Sequence, residues 1–116
     1  MSRKPNILFV CAKNKWRSPT AEKIYRNDPR CNVRSAGVSN SAKRTLAETD
    51  LQWADLILAM ETKHKKRIQS NYSHLHLPEI MVLDIPDDYE YMNPELIFLL
   101  QESIEEILDT TEEQLC

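Results

Sequence analysis

Two spacings of apolar residues alternate along this chain. Short runs are apolar at nearly every position, and the stretches between them carry apolar residues three or four apart. The run Asn6-Ile-Leu-Phe-Val-Cys11 is of the first kind. Continuous apolar character with β-branched and aromatic members predicts a strand covered on both faces. Ser18-Pro19, followed by Ala21, Ile24 and Tyr25, is of the second kind. It predicts a helix with Ser18 as N-cap and Pro19 at the first helical position. Cys31–Ser35 is a weaker strand, ended by Gly37, the one glycine of the chain. Residues 39–53 are polar, with a short helix predicted near Ser41–Ala47. Ala54–Ala59 predicts a third strand, Glu61–Ser70 a basic helix, and Glu79–Leu83 a fourth strand. Asp84–Tyr91 is an acidic loop. Asn93-Pro94 opens the longest helix, with Leu96, Leu99, Leu100, Ile104, Ile107 and Leu108 at helical spacing. These leucines and isoleucines, with Trp53, are assigned to the core. Strand–helix alternation of this kind implies an α/β fold: a single domain over residues 1–116, with a four-stranded parallel sheet and helices on both faces.

Composition narrows the class. A chain of 116 residues suits one domain with a real core. No apolar run reaches the roughly 18 residues of a membrane span, and no secretory leader is recognisable. Three cysteines (Cys11, Cys31 and Cys116) do not make a disulfide framework. A cytoplasmic protein without membrane attachment is the expectation. The net charge of −3 hides an asymmetry: residues 1–47 carry +9 and the remainder −12. A basic half suits anion binding, although two halves of one domain also neutralise each other.

The chemistry concentrates in Cys11-Ala-Lys-Asn-Lys-Trp-Arg17-Ser18-Pro19, where the first strand runs into the first helix. Open α/β sheets bind ligands at the carboxyl ends of strands. A helix N-terminus offers unpaired N–H groups and a positive dipole end, which suit phosphate-like anions. Arg17 adds a planar fork that holds two oxygens at once. The same field favours the nucleophilic thiolate of a cysteine. Ala12, Lys13, Asn14, Lys15, Trp16 and Ser18 are expected to curl round one tetrahedral anion, with the Ser18 hydroxyl also within reach of the sulfur. The loop has no glycine, so Asn14 is the candidate for a residue at positive φ. A buried, inert thiol is the alternative reading of Cys11.

Five segments occur in order over nearly the whole chain: Ile7-Leu-Phe-Val-Cys11, Arg17-Ser-Pro-Thr-Ala-Glu22, Arg34-Ser-Ala-Gly37, Leu51-Gln-Trp-Ala-Asp-Leu-Ile-Leu-Ala-Met60 and Asp84-Ile-Pro-Asp87-Asp-Tyr89. Together they resemble the low-molecular-weight protein tyrosine phosphatases. The resemblance implies a cofactor-free hydrolase in which Cys11 becomes a phosphocysteine and Arg17 binds the phosphoryl oxygens. Asn14 and Ser18 then hold the loop and the thiolate, and an Asp of the acidic loop is the general acid. The implied substrate is a phosphorylated protein, above all at phosphotyrosine, with phosphoarginine and small phosphate esters open. Inorganic phosphate is the product and an inhibitor. The sequence departs from the family at Lys13, where Gly is usual, at Lys15, where a small or aliphatic residue is usual, and at Trp16, where a second Cys is usual. The family's vicinal disulfide therefore cannot form. The chain is also short, and the loss falls between Gly37 and Asp50.

The acid is chosen among Asp84, Asp87 and Asp88. Asp87-Asp-Tyr89 overlays the family's Asp-Pro-Tyr, which favours Asp87. Tyr89 is a candidate to flank an aromatic substrate. His64, His74 and His76 have no Cys or His partner at ligand spacing, so no metal site is expected. Lys63–Arg67 is expected to be a solvated helix face rather than a nucleic-acid site. Cys31 and Cys116 are read as bystanders. Two other functions compete: a phosphate- or phosphoprotein-binding module without catalysis, and an arsenate reductase, which needs two further relay cysteines.

Overall fold

Hydrophobic burial on both sides of one strand organises the molecule. The computed structural model describes residues 4–115, and side chains as far as residue 110. Its elements are β1 (Asn6–Cys11), α1 (Arg17–Tyr25), β2 (Asn32–Gly37), α2 (Glu48–Trp53), β3 (Leu56–Ala59), α3 (Thr62–Asn71), β4 (Glu79–Val82) and α4 (Pro94–Leu115). All strand pairs are parallel, in the order β2-β1-β3-β4. In β1, Ile7, Phe9 and Cys11 join one core cluster with Ala21 and Tyr25 of α1 and the α4 stripe Leu96, Leu100, Ile104 and Leu108. Leu8 and Val10 join the other, with Leu51 of α2 and Ile68 of α3. The α/β architecture with helices on both faces is thus present as expected. Truncating one of the fully buried α4 residues to Ala costs about 2–5 kcal/mol by lost transfer energy and cavity formation.

The chain leaves β1 toward β2 and later crosses to β3 on the other side, so strand order reverses at β1. Loops diverge at such a point and leave a crevice beyond the strand ends. At this end Cys11 lies opposite Gly37, and Val10 opposite Ala59. The close approach explains the glycine. A Cβ at Gly37 would sit 2.6 Å from the Ala12 carbonyl oxygen and 2.9 Å from the Asn14 nitrogen.

Three local expectations are corrected. The N-cap of α1 is Trp16 rather than Ser18, which lies inside the first turn with Pro19 after it. The Ser18 side chain points at sulfur and not at its own helix. The short helix expected at 41–47 forms later, at Glu48–Trp53. Residues 44–46 are instead drawn onto the end of β2: Gly37 N–H bonds Arg44 O at 2.8 Å, and Leu46 N–H bonds Gly37 O at 2.9 Å. Asp50 closes the first turn of α2 by accepting from Ala47 N–H at 3.1 Å, and it also takes Arg44 at 2.5 Å. Trp53 is only partly buried; the Arg34 guanidinium covers its ring at 4.3 Å. Cys31 is a buried core residue at the start of β2, its thiol pushed up to about 11 by burial. Cys116 lies outside the described residues.

Candidate active site

Cys11 is the last residue of β1, and the seven residues after it fold back over the strand end. Asn14 has φ 53°, so the loop turns through the left-handed region at the residue expected to do so. Its side chain is buried and works in two directions: Asn14 Nδ2 donates to Ser18 Oγ at 2.9 Å and to Ser35 Oγ at 3.0 Å. Ser35 Oγ donates in turn to the Glu22 carboxylate. Proton bookkeeping then fixes the remaining bond. Ser18 Oγ already accepts from Asn14, so its own hydrogen is free for Cys11 Sγ, 2.9 Å away. The Ser18 hydroxyl is thus a hydrogen-bond donor aimed at the sulfur.

Arg17 opens α1 and is buried, which is costly for an arginine unless it is paired. Its Nη1 donates to Glu61 Oε2 at 2.5 Å and to the Ile85 carbonyl at 2.7 Å. These anchors come from the segments after β3 and β4, so the strand ends converge on one guanidinium. Burial alone would raise the Glu61 carboxyl, but the Arg17 hydrogen bond and charge outweigh it and hold it below the usual carboxylate range. With Nη1 anchored, Nε and Nη2 are the edge left to hold two oxygens. Nε lies 3.6 Å from Asp87 Oδ1.

A cavity of about 270 Å³ opens here, lined by Cys11, Ala12, Lys13, Lys15, Trp16, Arg17 and Asp87. Asn14 and Ser18 lie behind this wall as supports. Asp87 is the member of the acidic loop that reaches the cavity. Asp84 leaves β4 with φ 56°, and both it and Asp88 are exposed. Tyr89 does not line the cavity; it packs against the core cluster on the α4 side. Among the described residues no group of three His, Cys, Asp or Glu could hold a metal ion. No helix among them is long and apolar enough to cross a membrane.

Two residues escaped the sequence reading. Glu61 anchors Arg17, as described. His64 is buried and its Nδ1 accepts from the Glu61 N–H at 3.1 Å, which fixes the backbone that carries the anchor. Burial, then the Arg17 charge, lowers the imidazole to about 4, so it is neutral at pH 7. The available signal was spacing: a residue able to accept three positions after a helix start is a capping pattern.

The sequence profile of the low molecular weight phosphotyrosine protein phosphatases matches residues 6–52, the stretch that carries the loop. A protein-arginine-phosphatase of Bacillus subtilis is 35% identical over 94 residues, 58% of this chain and 63% of that one. Over that stretch the chain is similar to the low molecular weight phosphotyrosine protein phosphatases. The same fold occurs in the low molecular weight protein tyrosine phosphatase of Streptococcus pyogenes, at TM-score 0.77, 19% identity, and 91% and 92% coverage of the two chains. It occurs also in the low molecular weight protein tyrosine phosphatase of T. tengcongensis, at TM-score 0.71, 25% identity, and 97% and 100% coverage. The match thus spans less than two thirds of the curated relative's length. Lys13, Lys15 and Trp16, the positions at which the sequence departs from the pattern it resembles, all fall on the cavity wall.

Proposed function

We propose that the protein is a cysteine-dependent phosphomonoester hydrolase acting on phosphorylated protein, phosphotyrosine first, with phosphate release through a phosphocysteine. The observation that carries this is one cavity wall holding Cys11, Arg17 and Asp87, with Ser18 aimed at the sulfur from behind. The Cys11 thiolate attacks phosphorus and displaces the ester oxygen. Asp87, in its acid form, gives that oxygen a proton, so the leaving group departs neutral. Arg17 Nε and Nη2 and the loop amides between Ala12 and Ser18 hold the equatorial oxygens as charge builds on them. In the second step the Asp87 carboxylate takes a proton from water, which attacks the phosphocysteine and frees the thiolate and inorganic phosphate.

The arsenate-reductase reading loses support from the strand geometry. Cys31 precedes β2, whose Asn32 pairs with Asn6 at the far end of β1. At about 3.3 Å per residue it is roughly 16–20 Å from Cys11, too far for a disulfide relay. Hydrolysis of a chromogenic aryl phosphate by the wild type and by Cys11→Ser tests the proposal. Turnover by the wild type alone supports it. Phosphate binding without turnover by either protein favours the binding module instead.

A further inference from the structure

A second cleft adjoins the catalytic cavity and has no role in the reaction just described. It measures about 380 Å³ and is lined by Asn14, Lys15, Trp16, Pro19, Lys43 and Tyr91. It shares Lys15 and Trp16 with the cavity over Cys11, so the two form a continuous surface. Trp16, Pro19 and Tyr91 give it apolar and aromatic surface, and Lys15 and Lys43 bring two cations. The segment between β2 and α2 supplies Lys43. Ser39 N–H bonds Ala12 O at 2.8 Å and Lys43 N–H bonds Lys13 O at 3.0 Å, so the segment is stitched onto the loop by its backbone. Lys43 therefore stands beside the mouth whatever its side chain does.

The charges there are uncompensated. Among the described residues, Lys13, Lys15 and Lys43 have no carboxylate partner; Lys15 stacks on the Trp16 ring at 4.7 Å. Of the residues lining the two openings, Asp87 is the one carboxylate. Three unpaired cations around a joined pair of clefts favour more negative charge than a phosphoryl group alone brings.

We propose that this cleft is a substrate subsite for an aspartate or glutamate side chain one or two residues from the phosphorylated residue of a protein substrate. The carboxylate meets Lys43 and Lys15, and the side-chain stem lies on Trp16 and Tyr91. The inference rests on the phosphatase reading and adds to it a preference for acidic sequence.

The test uses matched phosphopeptides with Glu or Gln at the flanking positions, made once with phosphotyrosine and once with phosphoarginine; the faster-cleaved series is read. An aryl phosphate serves as the substrate that has no flank. The wild type is expected to favour Glu over Gln by about tenfold in kcat/KM, a size typical of a few partly exposed charge pairs. Lys43→Ala should reduce the preference to about threefold, and Lys43→Glu should abolish or invert it. Neither should change aryl phosphate hydrolysis more than about twofold, because Lys43 touches no reacting atom. Equal cleavage of Glu and Gln peptides by the wild type, or a preference that survives in Lys43→Glu, overturns the subsite. Aryl phosphate cleavage with neither peptide series cleaved overturns the subsite alone. Failure of the wild type on aryl phosphate overturns the phosphatase reading and the subsite with it.

Discussion

Across the cavity Arg17 is 3% exposed and Asp87 is 59% exposed. The loop of residues 11–18 holds each of its buried polar side chains with at least one hydrogen bond or ion pair. The loop of residues 84–91 offers its Asp87 to the cavity with a single contact at 3.6 Å. The contrast follows from what each side is proposed to do. A nucleophile and an anion cradle gain from being built before substrate arrives, since no reorganisation is then needed as charge develops. A general acid must meet leaving groups of different shape, and an exposed carboxyl on a solvated loop has room to do so.

The largest effect expected is at the preorganised side. Cys11→Ser should lower aryl phosphate turnover by about 10⁴-fold or more, since the hydroxyl remains protonated and the nucleophile is lost. Phosphate binding should survive, because the amides and Arg17 are untouched. Amide NMR during phosphate titration reads this directly: shifts confined to residues 12–18 in both proteins are expected. Retained turnover in Cys11→Ser would sink the covalent route.

At the exposed side the expected loss depends on the leaving group. Asp87→Asn should slow a phosphotyrosine substrate by about 10²- to 10⁴-fold and barely affect a nitrophenyl ester, whose oxygen departs without a proton. Asp88→Asn and Asp84→Asn are the comparisons and should be mild. Asn is chosen at 84 because the position has φ 56°, which Asn tolerates. A leaving-group-dependent loss at Asp84 instead would move the acid by three residues and break the contrast between the loops as drawn.

The two loops also differ in how far they could be read from the sequence. Strand β1, helix α4 and the residues Cys11, Asn14 and Arg17 were legible, because each is set by contiguous sequence: a buried run, a helical stripe, a loop entering a helix. What was not legible depends on contacts across the sheet. Ser18 has the local pattern of an N-cap, yet it is drawn inward by Asn14 and sulfur. Residues 44–46 are polar enough for a helix, yet β2 captures them as an extended stub. Arg17 is anchored by Glu61 and Ile85, which lie 44 and 68 residues away. The choice among three Asp residues is of the same kind, since only the docked loop shows which one faces the cavity.

A third prediction tests whether the buried side is held at a cost in pH range. His64 is lowered to about 4 in the folded protein, against about 6.5 in an unfolded chain. Below the unfolded value the unfolded chain binds the proton that the folded protein refuses. Stability from this group is therefore full above pH ~6.5, falls as the pH drops, and levels off below about 4. Between pH 7 and 5 the loss amounts to about 2 kcal/mol at 1.36 kcal/mol per unit. The carboxyls of Asp28, Glu61 and Glu105 are held below their ordinary range by arginine partners, so they titrate beneath this window. Urea unfolding of the wild type and of His64→Asn at pH 7 and 5 should show the drop in the first and much less in the second. Asn still offers an acceptor for the Glu61 N–H. An equal drop in both would mean that another group carries it.

The smallest effect concerns the order of the hydrogen-bond chain behind the sulfur. Glu22, Ser35, Asn14 and Ser18 pass donors and acceptors along one line, and only Ser18 touches Cys11. Ser18→Ala removes the donor itself. A hydrogen bond to a charged group is worth about 1.5–3 kcal/mol, so a loss of about ten- to hundredfold in kcat/KM is expected. Glu22→Gln acts three bonds away. Its amide oxygen still accepts from Ser35, so Asn14 keeps its place, and a change of about threefold or less is expected. The graded pair decides how the loop is built. If Glu22→Gln costs as much as Ser18→Ala, the chain acts as one unit whose proton positions are set from the carboxylate end, and the nucleophile depends on a charge that reaches it only through Ser35, Asn14 and Ser18. If the two differ as expected, the donor at sulfur is the local requirement, and the residues behind it serve to hold Ser18 and the left-handed turn at Asn14 in position.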